Sequence, residues 1–110
     1  MTLDIFARRR LQRLLDAYGD LLTDQQRDTL RLHLDRDWSY AEIARSQNVS
    51  RTAVYDSVRR SQAVLEEYEA KLGLLSAEEQ RQEDHERLGE RLDGLQAELV
   101  ELRKTVKGLT

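Results

Sequence analysis

The stretch Ser39-Tyr40-Ala41-Glu42-Ile43-Ala44-Arg45-Ser46-Gln47-Asn48-Val49-Ser50-Arg51-Thr52-Ala53-Val54-Tyr55-Asp56-Ser57-Val58-Arg59-Arg60 decides the fold. Ser39 and Glu42 stand three apart just ahead of Ile43 and Ala44. That is the spacing of a capping box, in which each side chain closes an orphan amide of the other at a helix start. Ser50 is the N-cap of a second helix. Between them Gln47-Asn48-Val49 makes a tight connection, and Asn48 suits a left-handed backbone better than most residues with a side chain. A short capped helix, a three-residue turn and a longer capped helix form a helix-turn-helix. Small Ala44 lets the two helices approach, and Ile43, Val49, Val54 and Val58 are placed to seal their contact.

In this geometry the second helix offers its N-terminal, outward face to a DNA major groove. That face carries Arg51, Thr52, Tyr55, Asp56 and Arg59, with Arg60 beside them. Arginine pairs bidentately with guanine, and Thr or Tyr reaches phosphate or a thymine methyl. Ser39, Tyr40 and Ser50 sit at helix starts, where backbone amides favour phosphate. Asp56 opposes phosphate. It can accept from a cytosine amino group or belong to a protein-facing surface. Two capped helices at a turn are also an ordinary packing unit of all-α domains, and a helix-turn-helix without a nucleic-acid ligand stays open.

The charge balance is the reason it stays open. Residues 1–75 hold 12 Lys+Arg against 12 Asp+Glu, a net of zero, and residues 76–110 hold 6 against 9, a net of −3. A general nucleic-acid binder is strongly basic, so binding here must come from a local patch. Only 5% of residues are aromatic, which leaves Leu, Ile, Val and Ala to build the core. Proline is absent, which suits long uninterrupted helices. Cysteine is absent too, which excludes disulfides, thiol nucleophiles and Cys-ligated metal. Nothing resembles a membrane span or a secretory leader, and a cytoplasmic protein is expected.

Working outward, the apolar spacing predicts a helix over 4–18, with Phe6, Leu11, Leu14, Leu15 and Tyr18 on one face and Gly19 as its stop. Arg8, Arg9, Arg10 and Arg13 read as a solvated face of that helix. Thr23-Asp24-Gln25-Gln26 is another capping box, opening a helix to about Leu34. Trp38 is expected to anchor packing between this helix and the next, and His33 to lie on the surface. The helix opened by Ser50 carries Val54, Val58, Leu65, Tyr68 and Leu72 inward and ends near Gly73. Residues 1–75 therefore make one helical domain.

From Ser76 onward the pattern changes. Leu88, Leu92, Leu95, Leu99, Leu102, Val106 and Leu109 alternate steps of four and three, an unbroken heptad seam. With Leu92, Leu99 and Val106 at a and the other leucines at d, Glu98 at g faces Arg103 at e of a parallel partner. A helix with so narrow an apolar face is marginal alone. Residues 76–110 are expected to pair, with a second copy favoured over the protein's own domain. His85 extends the a positions upstream as an exposed residue of a frayed first heptad.

The residues also carry a resemblance. Leu22-Thr23-Asp24-Gln25-Gln26-Arg27, Ser39 to Ala44 and Ser50 to Val54 resemble region 4 of bacterial sigma factors. A narrower likeness adds Val49 to Arg60 and Leu65-Glu66-Glu67-Tyr68-Glu69-Ala70-Lys71-Leu72, which resemble the YlxM family of small bacterial proteins over roughly residues 3–75. The resemblance implies a DNA-binding regulator associated with the signal recognition particle pathway. It alone brings in signal recognition particle RNA or the particle's GTPase as partners.

Three functions follow from this reading. One is a DNA-binding regulator, one is an accessory factor that binds protein or RNA of the targeting machinery, and one is a coiled-coil scaffold. No catalytic constellation, cofactor loop or metal spacing stands out. Carboxylate clusters such as Glu66-Glu67-Glu69 and Glu83-Asp84-Glu86 read as solvated helix faces, and His33 and His85 are too far apart for a metal site. The chain is expected to be a non-enzymatic, all-α protein: a helix-turn-helix bundle followed by a long coiled-coil-type helix.

Overall fold

A computed structural model describes residues 4–109; Met1–Leu3, including the first residue of the YlxM-like stretch, and Thr110 lie outside it. Among the described residues the chain is all-α: α1 (Ile5–Tyr18), α2 (Asp24–Leu34), α3 (Tyr40–Gln47), α4 (Arg51–Leu72) and α5 (Leu74–Leu109), with a short 3-10 turn at Gly19–Leu21. Contacts divide it into two units, Met1–Leu75 and Ser76–Thr110.

In the first unit the helix starts form as the local sequence dictates. Asp4 caps α1 by accepting from the Ala7 amide at 2.7 Å. Both bonds of each capping box are made, Thr23 with Gln26 at the start of α2 and Ser39 with Glu42 at the start of α3. Ser50 caps α4 by accepting from the Ala53 amide at 3.0 Å. Asn48 adopts φ 54° and ψ 46°, the left-handed conformation. The Val49 amide then reaches the Ala44 carbonyl and the Asn48 amide the Arg45 carbonyl. These two bonds form a Schellman motif, which closes α3 and turns the chain sharply into α4.

α1, α2 and α3 all pack on α4. Leu11, Leu14, Leu15 and Tyr18 of α1, Leu30 and Leu34 of α2, and Ile43 and Ala44 of α3 meet Val54, Val58 and Leu65 of α4 in one core. Trp38 is half-buried against that core, as its place between α2 and α3 predicts.

Several expected positions are corrected. Phe6 is 78% exposed. At 3.6 residues per turn it lies roughly 130° around α1 from the stripe centred on Leu11 and Leu14, so Ala7 and Arg8 take the inward positions there. Val49 is exposed, because its backbone closes the turn while its side chain stays outside the seam. Leu72, the last residue of α4, is exposed, and Glu69 instead ends the inward stripe. Arg8 is not part of a solvated face: its guanidinium donates to the carbonyls of His33 (2.9 Å) and Leu34 (3.2 Å) and pairs with Asp37. It thus caps the carbonyl end of α2, where a cation is favoured. Arg10 is also engaged, in a two-bond pair with Glu66.

Gly19 is buried with an ordinary right-handed backbone. A Cβ there would meet Leu15 Cδ1 at 3.1 Å, so it is close packing and not conformation that favours glycine. Gly73 is the opposite case, with φ 63° in open space. It ends α4 as a left-handed cap, its amide donating to the Glu69 carbonyl.

α5 starts at Leu74, two residues before the expected start, because Leu75 is drawn into the first unit's core at 2% exposure. The second unit, taken by itself, is the remainder of this helix. Leu88, Leu92, Leu95, Leu99, Leu102, Val106 and Leu109 are all exposed along it, from 46% at Leu95 to 83% at Leu109.

Candidate nucleic-acid interface

The nine residues expected to meet nucleic acid fall into three groups. Two of them, Ser39 and Ser50, are capping residues whose hydroxyls accept from the Glu42 and Ala53 amides. The two helix starts differ in charge. At α3 the Ser39 amide already donates to the Glu42 carboxylate, at 3.3 Å, and that negative charge repels an approaching phosphate. The first turn of α4 holds no acidic residue, and exposed Arg51 stands in it. The start of α4 is the better anion position of the two.

The second group is an aromatic and cationic cluster. Tyr40 and Tyr55 are half-buried, with ring centroids 6.1 Å apart and planes at 66°, an edge-to-face pair. Arg59 lies 5.7 Å above the Tyr55 ring and its guanidinium donates to the Tyr55 hydroxyl at 3.3 Å. Arg51 and Thr52 flank the same tyrosines, and Tyr40, Arg51, Thr52 and Tyr55 together line an open notch of about 230 Å³. Burial pushes the Tyr40 phenol above its ordinary pKa, so it is a neutral hydrogen-bonding group at physiological pH.

Asp56 and Arg60 form the third group, on a different strip of α4. With Gln25, Gln26 and Ser57 they line a separate cleft of about 430 Å³ between the start of α2 and α4. Of the cations, Arg51, Arg59 and Arg60 form no ion pair among the described residues, and Arg59 is held by the Tyr55 hydroxyl.

Sequence spacing alone places His33 on the open surface. It is half-buried, with its ring 4.8 Å from that of Tyr40 and Nδ1 2.9 Å from the Trp38 carbonyl. It thereby packs against the Tyr40 ring. Local spacing gives no sign of this, because His33 and Tyr40 lie on different helices joined by a turn at Asp37, whose φ of 57° is itself unusual for a residue with a side chain. Gln25 and Gln26 were likewise legible only as the first turn of a capped helix.

Among the described residues no group of His, Cys, Asp or Glu is placed to hold a metal ion, and no helix is long and apolar enough to cross a membrane.

Comparison with known proteins agrees with this geometry. A family described as "Putative helix-turn-helix protein, YlxM / p13 like", UPF0122, matches residues 5–105. The match runs thirty residues past the end of the YlxM-like stretch read from the sequence and takes in most of α5. A UPF0122 protein of Geobacillus kaustophilus is 46% identical over 96 residues, covering 84% of this chain and 87% of that relative. One from Symbiobacterium thermophilum is 40% identical over 100 residues, covering 91% and 92%. One from Lacticaseibacillus casei is 52% identical over 67 residues, covering 61% and 59%. The chain therefore belongs to the UPF0122 family of YlxM/p13-like helix-turn-helix proteins.

Proposed function

We propose that this protein is a cytoplasmic DNA-binding regulator that reads duplex DNA with α4 and does so as a homodimer joined along α5. The observation that carries the reading is the acid-free start of α4, where exposed Arg51 stands beside the Tyr40–Tyr55–Arg59 cluster. A cation able to pair with guanine, hydroxyls able to reach phosphate, and a helix N-terminus converge on one outward face. The dimer is supported by the seven exposed a and d residues of α5, an apolar stripe that a second copy would cover. A parallel pairing brings Glu98 opposite the partner copy's Arg103, and it sets two α4 helices to work on one duplex.

Binding of the full chain to duplex DNA across a salt series tests this. Phosphate contacts by Arg51 and Arg59 give a log–log slope of roughly −2 per protomer. Absence of salt-dependent binding overturns the reading.

A second reading has its own support. The first unit has no net charge, and the Glu42 carboxylate guards the start of α3. Both suit a surface that meets protein, or a ribonucleoprotein such as the signal recognition particle, more than they suit a general DNA binder. Retention of the particle's RNA or its GTPase by the full chain, with no retention of duplex DNA, would favour it.

A further inference from the structure

We propose that the notch between Tyr40 and Tyr55 is a reader of the thymine 5-methyl group, so that one A·T pair of the DNA site is specified by apolar contact. The inference rests on the duplex-binding function proposed above and adds the chemistry of one specificity position.

Three features of the cluster lead to it. The notch is lined by Tyr40, Tyr55, Thr52 and Arg51, and it lies at the exposed first turns of α4. In a helix-turn-helix those turns approach the base edges in the major groove, where the thymine methyl is the one apolar group displayed. The cations around it, Arg51 and Arg59, complement the phosphates that flank any base edge reaching this depth.

The arrangement of the rings selects the methyl over a whole base. Arg59 already covers one face of Tyr55, and Tyr40 meets Tyr55 edge to face at 6.1 Å. Neither leaves a wide parallel platform on which an unpaired base would stack. A concave apolar corner of this kind takes a methyl group. The half-buried His33 ring, 4.8 Å from that of Tyr40, restrains the Tyr40 wall of the corner.

The test uses the full chain and a duplex enriched by it from a random-sequence pool. Each thymine of that duplex is replaced in turn by uracil, which deletes the 5-methyl and nothing else. At one position per half-site uracil should weaken binding about fourfold, the worth of one buried carbon. Tyr55→Ala should erase the difference between thymine and uracil there, and Tyr55→Phe should keep it. Thr52→Ser, an exposed change that removes one methyl, should shrink it without touching the core. Duplex binding with no uracil-sensitive position overturns the notch as a reader and leaves the proposed function standing. A pool from which no duplex is retained overturns both.

Discussion

Tyr18 and Glu69, 51 positions apart, share a buried hydrogen bond of 2.7 Å that ties the end of α1 to the end of α4. The same two side chains start α5. Tyr18 Oη accepts from the Leu74 amide at 3.0 Å, and Glu69 Oε1 accepts from the Leu75 amide at 2.9 Å. A carboxylate at a helix N-terminus is favoured by the helix dipole and satisfies an amide that the helix itself cannot. Burial, followed by the bond to Glu69, raises the Tyr18 phenol above its ordinary pKa, so it stays a donor at neutral pH.

Glu69→Ala should therefore be costly. It leaves the Tyr18 hydroxyl and the Leu75 amide buried without this acceptor, a loss of about 2 kcal/mol or more. Glu69→Gln retains an acceptor oxygen and should lose less. Thermal denaturation of the three proteins checks the order, and a Glu69→Ala protein as stable as the parent would refute the role of the network.

Ser61 should respond in the opposite sense. Its hydroxyl is fully buried in α4 and has no hydrogen-bond partner among the described residues. Ser61→Ala removes an unsatisfied polar atom from the core and should stabilise the protein by about 1 kcal/mol. A fall in melting temperature would show that the hydroxyl is satisfied in solution.

The Arg10–Glu66 pair predicts a pH dependence. The hydrogen bonds from Arg10 hold the Glu66 carboxyl below the usual carboxylate range. A depressed folded-state pKa contributes stability above the unfolded value and loses it as pH falls through the folded one. Both side chains are substantially exposed, 46% and 40%, so the contribution is under about 1 kcal/mol. Glu66→Gln should lower the melting temperature slightly at pH 7, and the gap should close below the folded pKa of Glu66. A gap unchanged down to pH 2 would contradict the pair's contribution.

The α5 seam predicts an assembly. Leu95→Glu with Leu99→Glu places charge at one d and one adjacent a position, which should convert the proposed dimer to monomer while leaving the first unit folded. Sedimentation equilibrium of the full chain reads this directly. A parent protein that sediments as a monomer at tens of micromolar would end the dimer proposal.

Much of this fold was legible because its signals are local. Ser39 with Glu42, Thr23 with Gln26, and Ser50 announce helix starts within four residues, and Asn48 announces the turn. Long-range choices were not legible. Arg8 looks like one of a run of solvated arginines until α2 ends beside it, and only then does its role as a cap on His33 and Leu34 emerge. Glu69 reads as one of a surface carboxylate cluster until Tyr18 and the first amides of α5 surround it. At the candidate site, Arg51, Thr52, Tyr55 and Arg59 follow from helical phase. The support of Tyr40 by His33, and the separation of Asp56 and Arg60 onto another strip, depend on how α2 lies against α3 and α4.

The central claim is that α4 reads duplex DNA through its N-terminal face, and fluorescence anisotropy of a labelled duplex with four proteins tests it most directly. These are the parent, Arg51→Ala, Arg59→Ala and, as a control on an exposed cation outside α3 and α4, Arg36→Ala. The account predicts that Arg51→Ala and Arg59→Ala each lower affinity by about tenfold or more, with a shallower salt slope, while Arg36→Ala binds like the parent. Equal binding by all four would contradict it.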